Sequence, residues 1–158
     1  MTASRQSRFN DIAAALGYSF EGEIKIGGNY TSTVRHDKSI YISGQIPRVG
    51  DTVVVTGRAG DDVSLAEAQK AAKVCILRAL ALLKLELGSL DKVQRILRIT
   101  VFVQCAANFT QQSEVADGAS EVLYAVLDEA GRHTRTSVGV YQLPKNAAVE
   151  IDLIAATE

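Results

Sequence analysis

An α+β fold, one sheet with two long helices laid over one of its faces, is what the order of patterned segments predicts. Residues 64–87 hold a helical apolar period without a break. β-Branched and alternating runs stand before that segment, just after it and at the C-terminal end. Length adds a third argument: 158 residues, 47% of them hydrophobic, make one domain over 1–158 with one sizeable core the expected organisation.

Taken in order, RQSRFNDIAAAL (5–16) spaces Phe9, Ile12, Ala13 and Leu16 along one helical face, and Gly17 stops it. This short helix reads as an extension, residues 1–19, at the front of the domain. A glycine-containing connector (Gly22, Gly27, Gly28) leads into TSTV (31–34), SIYISGQI (39–46) and TVVVTG (52–57), with Pro47 and Gly50–Asp51 as turns. Ser64 with Glu67 makes a capping box; Leu65, Ala68, Ala72, Cys75, Ile76, Ala79, Leu82 and Leu83 follow at helical spacing, and Gly88 ends the run. RILRITVFVQ (95–104) reads as a strand, and about 112–130 as a second helix with Val115, Ala119, Val122, Leu123, Val126 and Leu127 inward. RTSVGVYQL (135–143) and AVEIDLIAA (148–156) alternate on either side of Pro144-Lys145-Asn146 and read as a terminal hairpin. Alternation there sets Val138 and Val140 against Arg135, Ser137 and Gly139, and Val149, Ile151 and Leu153 against Glu150 and Asp152. The apolar side suits a helical cover. The polar, small side suits solvent, or copies of itself in a closed oligomer.

Composition excludes several classes. A formal net charge of −1, from 17 basic and 18 acidic side chains, shows no basic excess, so nucleic acid is disfavoured as a partner. Cys75 and Cys105 lie in apolar surroundings with no CxxC spacing and no Cys/His cluster, so they read as small core residues rather than zinc ligands. MTASRQSRFND carries no apolar run after its arginines, and no stretch approaches membrane-spanning length. A soluble, cytoplasmic protein is the expectation.

Motifs for mononucleotide binding, a nucleophile elbow or a helical zinc site are missing, and nothing in the spacing pairs His36 or His133 with a ligand partner or a nucleophile. The remaining candidates for chemistry are Tyr30, Ser43, Arg135, Glu150 and Asp152. Each has a plain structural reading: Tyr30 as a strand-edge or interface aromatic, Ser43 as part of a turn, Arg135 and Glu150 as solvated strand charges or a weak ion pair. On residues alone the reading ends at an α+β domain with an Arg/Glu polar face.

The segments SGQIP (43–47), ITVFV (99–103) and above all RTSVGVYQLPKNAAVEID (135–152) resemble the Rid/YjgF family of enamine/imine deaminases, also labelled endoribonuclease L-PSP-like. GRHTRTSVGV and VADGAS (115–120) are similar to a divergent branch of it with GRHxRxxVGV and NGAS patterns, and the likeness runs in register over roughly residues 20–156. The resemblance implies a chorismate-mutase-like fold and a homotrimer with sites in the clefts between subunits. It implies hydrolysis of small 2-imino or enamine acids to 2-keto acids and ammonia, without metal or cofactor. By its pattern Arg135 is the clamp for the substrate carboxylate, Glu150 aims the water, Tyr30 contacts substrate, and Ser43 and Gly44 line the pocket. Two positions depart from the archetype: Ser137 stands where a cysteine is usual, and Asp117 stands for the pocket asparagine. The roles fit the chemistry, since a guanidinium fork fixes the plane of a conjugated carboxylate and a nearby carboxylate takes a proton from attacking water. Two alternatives stay open: a non-catalytic module that binds small carboxylic acids, and an endoribonuclease. The second is disfavoured by neutral charge and only 6% aromatic residues.

Overall fold

The computed structural model describes residues 3–158. Helix α1 (Arg5–Leu16) starts at Ser4, whose hydroxyl accepts from the Ser7 amide, and stops at Gly17 in the left-handed region. Strands β1 (Thr33–His36) and β2 (Ser39–Gln45) form a hairpin. β3 (Arg48–Val49) and β4 (Thr52–Val53) make a small separate ribbon. The expected third strand over 52–57 therefore shrinks to two residues outside the main sheet. α2 (Leu65–Leu87) carries the capping box of Ser64 and Glu67 and ends at Gly88. After β5 (Val93–Gln104) come α3 (Gln112–Leu127), a short 3-10 turn at Asp128–Gly131, β6 (Thr134–Val140) and β7 (Val149–Thr157).

The main sheet runs β1-β2-β7-β5-β6. β6 and β7 are therefore not a hairpin: β5 lies between them, antiparallel to β7 and parallel to β6. The reason lies in connection length. β5–α3–β6 is a helical crossover, which returns the chain parallel to its start, and the 141–148 loop then crosses the end of β5 to the other side. Gln104, the last residue of β5 and 1% exposed, holds that loop: its amide donates to the Gly57 carbonyl (2.9 Å) and Asn146 Oδ1 (2.7 Å), and its Oε1 accepts from the Leu143 amide (2.7 Å).

α2 and α3 pack side by side against the face formed by Ile99, Val101, Val103, Val149, Ile151 and Leu153, all buried. Their backbones approach closely at Gly118, where a Cβ would stand 2.6 Å from the Gln69 carbonyl oxygen on α2. α1 docks through Arg5, which donates to the carbonyls of Leu90 and Val93, and Arg8, which donates to Val126 at the C-terminal end of α3. Cys75 is buried, and its thiol donates to the Val149 carbonyl at 3.6 Å; burial pushes its pKa well up. Cys105 is half-buried. Among the described residues no helix is long and apolar enough to cross a membrane.

Register corrects one assignment. Arg135, Ser137 and Gly139 pair with Ile99, Val101 and Val103, so they share the helix-covered face. The uncovered face carries Glu150, Phe102 and Val138, with Val34, Tyr41 and Ile154 in a row beside them. The small, polar outward face expected from alternation is thus an apolar one in part: Val34, Tyr41 and Val138 are all exposed.

Candidate functional site

The residues singled out by the sequence fall into two groups. Glu150, Tyr30 and Gly44 line a cleft of about 180 Å³, together with Lys25, Arg48, Arg78 and Lys145. The cleft depends on a bulge in β2 between Ile42 and Gln45, which turns Gly44 toward Glu150. A Cβ at Gly44 would collide with the Glu150 carboxylate. Only glycine leaves that carboxylate its place. Ser43 sits in the same bulge, where its hydroxyl accepts from Nε2 of the cleft-lining Gln45 (3.3 Å), but Ser43 itself does not line the cleft. Burial raises the Glu150 pKa, with the like charge of Asp152 adding to it. Glu150 makes no ion pair among the described residues.

Arg135 belongs to the other group. Its Nη1 donates to Asp117 Oδ1 and Ser120 Oγ, each at 2.9 Å, and its Nη2 to the Ser113 carbonyl (3.2 Å) and Ser113 Oγ (2.9 Å). Asp117 is therefore an ion-pair partner of Arg135. Ser137 lies two residues along β6 on the same face. Since Arg135 and Glu150 emerge on opposite faces of the sheet, a single chain does not bring these two side chains together.

His133 completes the Arg135 network, a part the sequence did not reveal. Its Nδ1–H donates to the Gly131 carbonyl at 2.6 Å, which leaves Nε2 to accept from the Ser120 hydroxyl at 2.9 Å. Tyr124 stacks on the imidazole, and burial lowers the His133 pKa, with Arg135 adding to the effect. A serine–histidine pair thus exists where spacing suggested none. It is not a nucleophile and base: Ser120 is 6% exposed, its oxygen is held by Arg135, and it lines neither cleft. The signal was available, because VADGAS and GRHTR are the two strings that meet here. Their spacing alone could not say that they touch.

A larger cleft, about 550 Å³, lies between α1 and α2 and is lined by Phe9, Ala13, Leu80 and Leu85 among others. It contains none of the residues considered for chemistry. Among the described residues no cluster of three or more His, Cys, Asp or Glu could hold a metal ion.

The family model described as Endoribonuclease L-PSP matches residues 21–157. The chain belongs to the L-PSP (YjgF) family. It is 41% identical to the Trypanosoma cruzi protein TCP17 over 140 residues, 88% of either chain. Its fold is similar to that of an Agrobacterium tumefaciens protein of unknown function, with 35% identity, a TM-score of 0.87, and coverage of 98% of this chain and 92% of that one. The YjgF gene product of E. coli is more distant, with 26% identity and a TM-score of 0.61 over 83% of this chain and 90% of that one. α1 lies outside the residues the L-PSP model matches.

Proposed function

We propose that this L-PSP family protein hydrolyses reactive 2-imino and enamine acids to 2-keto acids and ammonia. The single observation that carries the reading is Glu150: a carboxyl in a formed cleft, free of cation partners among the described residues, with its pKa raised by burial. Such a group can take the proton from water as oxygen attacks the C=N carbon, then return it to nitrogen. The hydroxyl proton of the resulting carbinolamine passes to its amino group, the C–N bond breaks, ammonia departs and the hydroxyl oxygen becomes the keto oxygen. In this reading Tyr30, half exposed and lining the cleft, contacts the substrate. Arg135 reaches this cleft in our reading from a second copy, in a ring of three, and meets the substrate carboxylate there.

One observation favours a second reading, a module that binds small acids without turning them over. Asp117 already satisfies the Arg135 fork, so the clamp is engaged before any ligand arrives. Trapping with semicarbazide separates the two. Imines generated by an amino-acid oxidase should be intercepted by the protein, with less semicarbazone and faster keto-acid release. Glu150→Gln should lower kcat by about 10²–10⁴-fold with little change in KM. Tight 2-keto-acid binding with no acceleration of any imine would replace the deaminase by the binding module.

A further inference from the structure

The Glu150 cleft is far more basic than the chain around it. Four of its twelve lining residues, Lys25, Arg48, Arg78 and Lys145, are cationic against one carboxylate, in a chain of net charge −1. Lys25 is answered by Asp51 at the surface, whereas Arg48, Arg78 and Lys145 form no ion pair among the described residues. Arg78 is 4% exposed, and its acceptors are all neutral: Gln45 Oε1 (3.1 Å) and the carbonyls of Arg48 and Lys25 (2.8 Å each). A buried guanidinium with no counter-charge is costly, and an anion relieves that cost.

Arg48 repeats the pattern. Its Nε is buried without an acceptor, and its positive charge adds to burial in lowering the Arg78 pKa. Gly27 lines the cleft beside it, 3.9 Å being the distance from a Cβ built there to Arg48 Nη2. Lys145 faces the same cleft from a backbone at φ 57, a conformation uncommon outside glycine and enriched at ligand sites. Like charges held together, with donors left over, describe a receptor for an oxyanion.

We propose that Arg48 and Arg78 form an oxyanion subsite in the Glu150 cleft, and that the substrates are 2-imino acids bearing a carboxylate side chain. This rests on the cleft being the reaction site. The second carboxylate lies on the two arginines while the imine carbon faces Glu150.

Calorimetric titration of the full chain with 2-oxoglutarate and with 2-oxohexanoate, a monocarboxylate whose side chain is uncharged, tests it. 2-Oxoglutarate should bind at least about tenfold tighter, and Arg48→Gln should remove the difference. Arg48 is partly exposed on a two-residue strand and its side chain holds no hydrogen bond among the described residues, so this variant keeps the fold. Equal affinities in the wild type, or a preference that survives Arg48→Gln, would overturn the subsite. Inorganic phosphate is the third arm: Arg48-dependent binding tighter than that of 2-oxoglutarate would overturn the carboxylate assignment in favour of a phosphorylated ligand. Turnover of neutral imino acids without preference for diacids would leave the deaminase standing and remove the subsite. An Arg48-dependent preference with no turnover of any imine would do the reverse.

Discussion

At Arg135 four N–H donors already have acceptors on α3, one of them the Asp117 carboxylate. An incoming carboxylate competes with that internal anion, so affinity is the difference between two anions on one guanidinium. Asp117→Asn removes the competing charge and keeps the shape; pyruvate should bind roughly five- to tenfold tighter, the gap between a charged and a neutral hydrogen bond. Asp117 is half exposed, so the cost to stability should be small. Weaker binding in calorimetry would mean that Asp117 orients Arg135 rather than competing for it. Glu150 has a pH signature with a definite sign. Its folded pKa lies above the unfolded value of about 4.3. The native state therefore keeps the proton longer, and its stabilising contribution, complete below the unfolded pKa, is lost as pH rises through the folded one. The melting temperature of Glu150→Gln relative to wild type should thus increase between pH 4 and pH 7. Activity runs the other way, because the base works only when ionised: the acid limb of kcat/KM should sit above the ordinary carboxylate range.

The elements whose identity depends on local chemistry were legible. The period and capping box of α2 fixed it to the residue, and α1 buries Phe9 and Ala13 as its spacing required. What failed was pairing. Two alternating segments around Pro144 look the same whether they pair with each other or flank a third strand, and the deciding contacts are made by Gln104, forty residues away. Because the pairing was misread, so was the face of Arg135: alternation gives the two sides of a strand but not which one the helices cover. The site divides in the same way. Tyr30, Gly44 and Glu150 do share a cleft, but Arg48 and Arg78 carry no sequence signal, since neither an arginine beside a turn nor one among apolar helix residues makes a motif. The role of Gln104 can be measured. Gln104→Ala leaves the Gly57 carbonyl, the Asn146 amide oxygen and the Leu143 amide without their partner inside the protein. At about 1–3 kcal/mol for each group left unsatisfied, the loss in urea unfolding should reach about 3 kcal/mol. A loss under about 1 kcal/mol would mean that the crossover loop is held by its other contacts.

The whole molecule leaves one sheet face without helices, and Val34 (52% exposed), Tyr41 (48%) and Val138 (38%) stand on it. Grouped apolar side chains of this size are surface that association removes from water. The same sheet sends Glu150 and Arg135 out of opposite faces, so a site using both needs a second copy. A closed ring, in which each copy offers its Arg135 edge to the Glu150 cleft of the next, makes every site equivalent and leaves no open end. The geometry sets no number of copies; with the three that the resemblance implies, light scattering should give three times the 16.9 kDa chain mass at micromolar concentration. Val138→Asp, which places a charge on the uncovered face, should return the protein to monomer and abolish turnover together. A sharper test uses two inactive variants. Arg135→Ala and Glu150→Gln each spoil one half of the site. If the halves come from neighbouring copies, co-refolding the two variants at equal amounts restores about a quarter of the wild-type sites, since one arrangement in four joins an intact Arg135 to an intact Glu150. If both halves came from one chain, every mixed ring would remain dead. A monomer by light scattering, or no rescue on mixing, would remove the shared site and with it the role of Arg135 as substrate clamp.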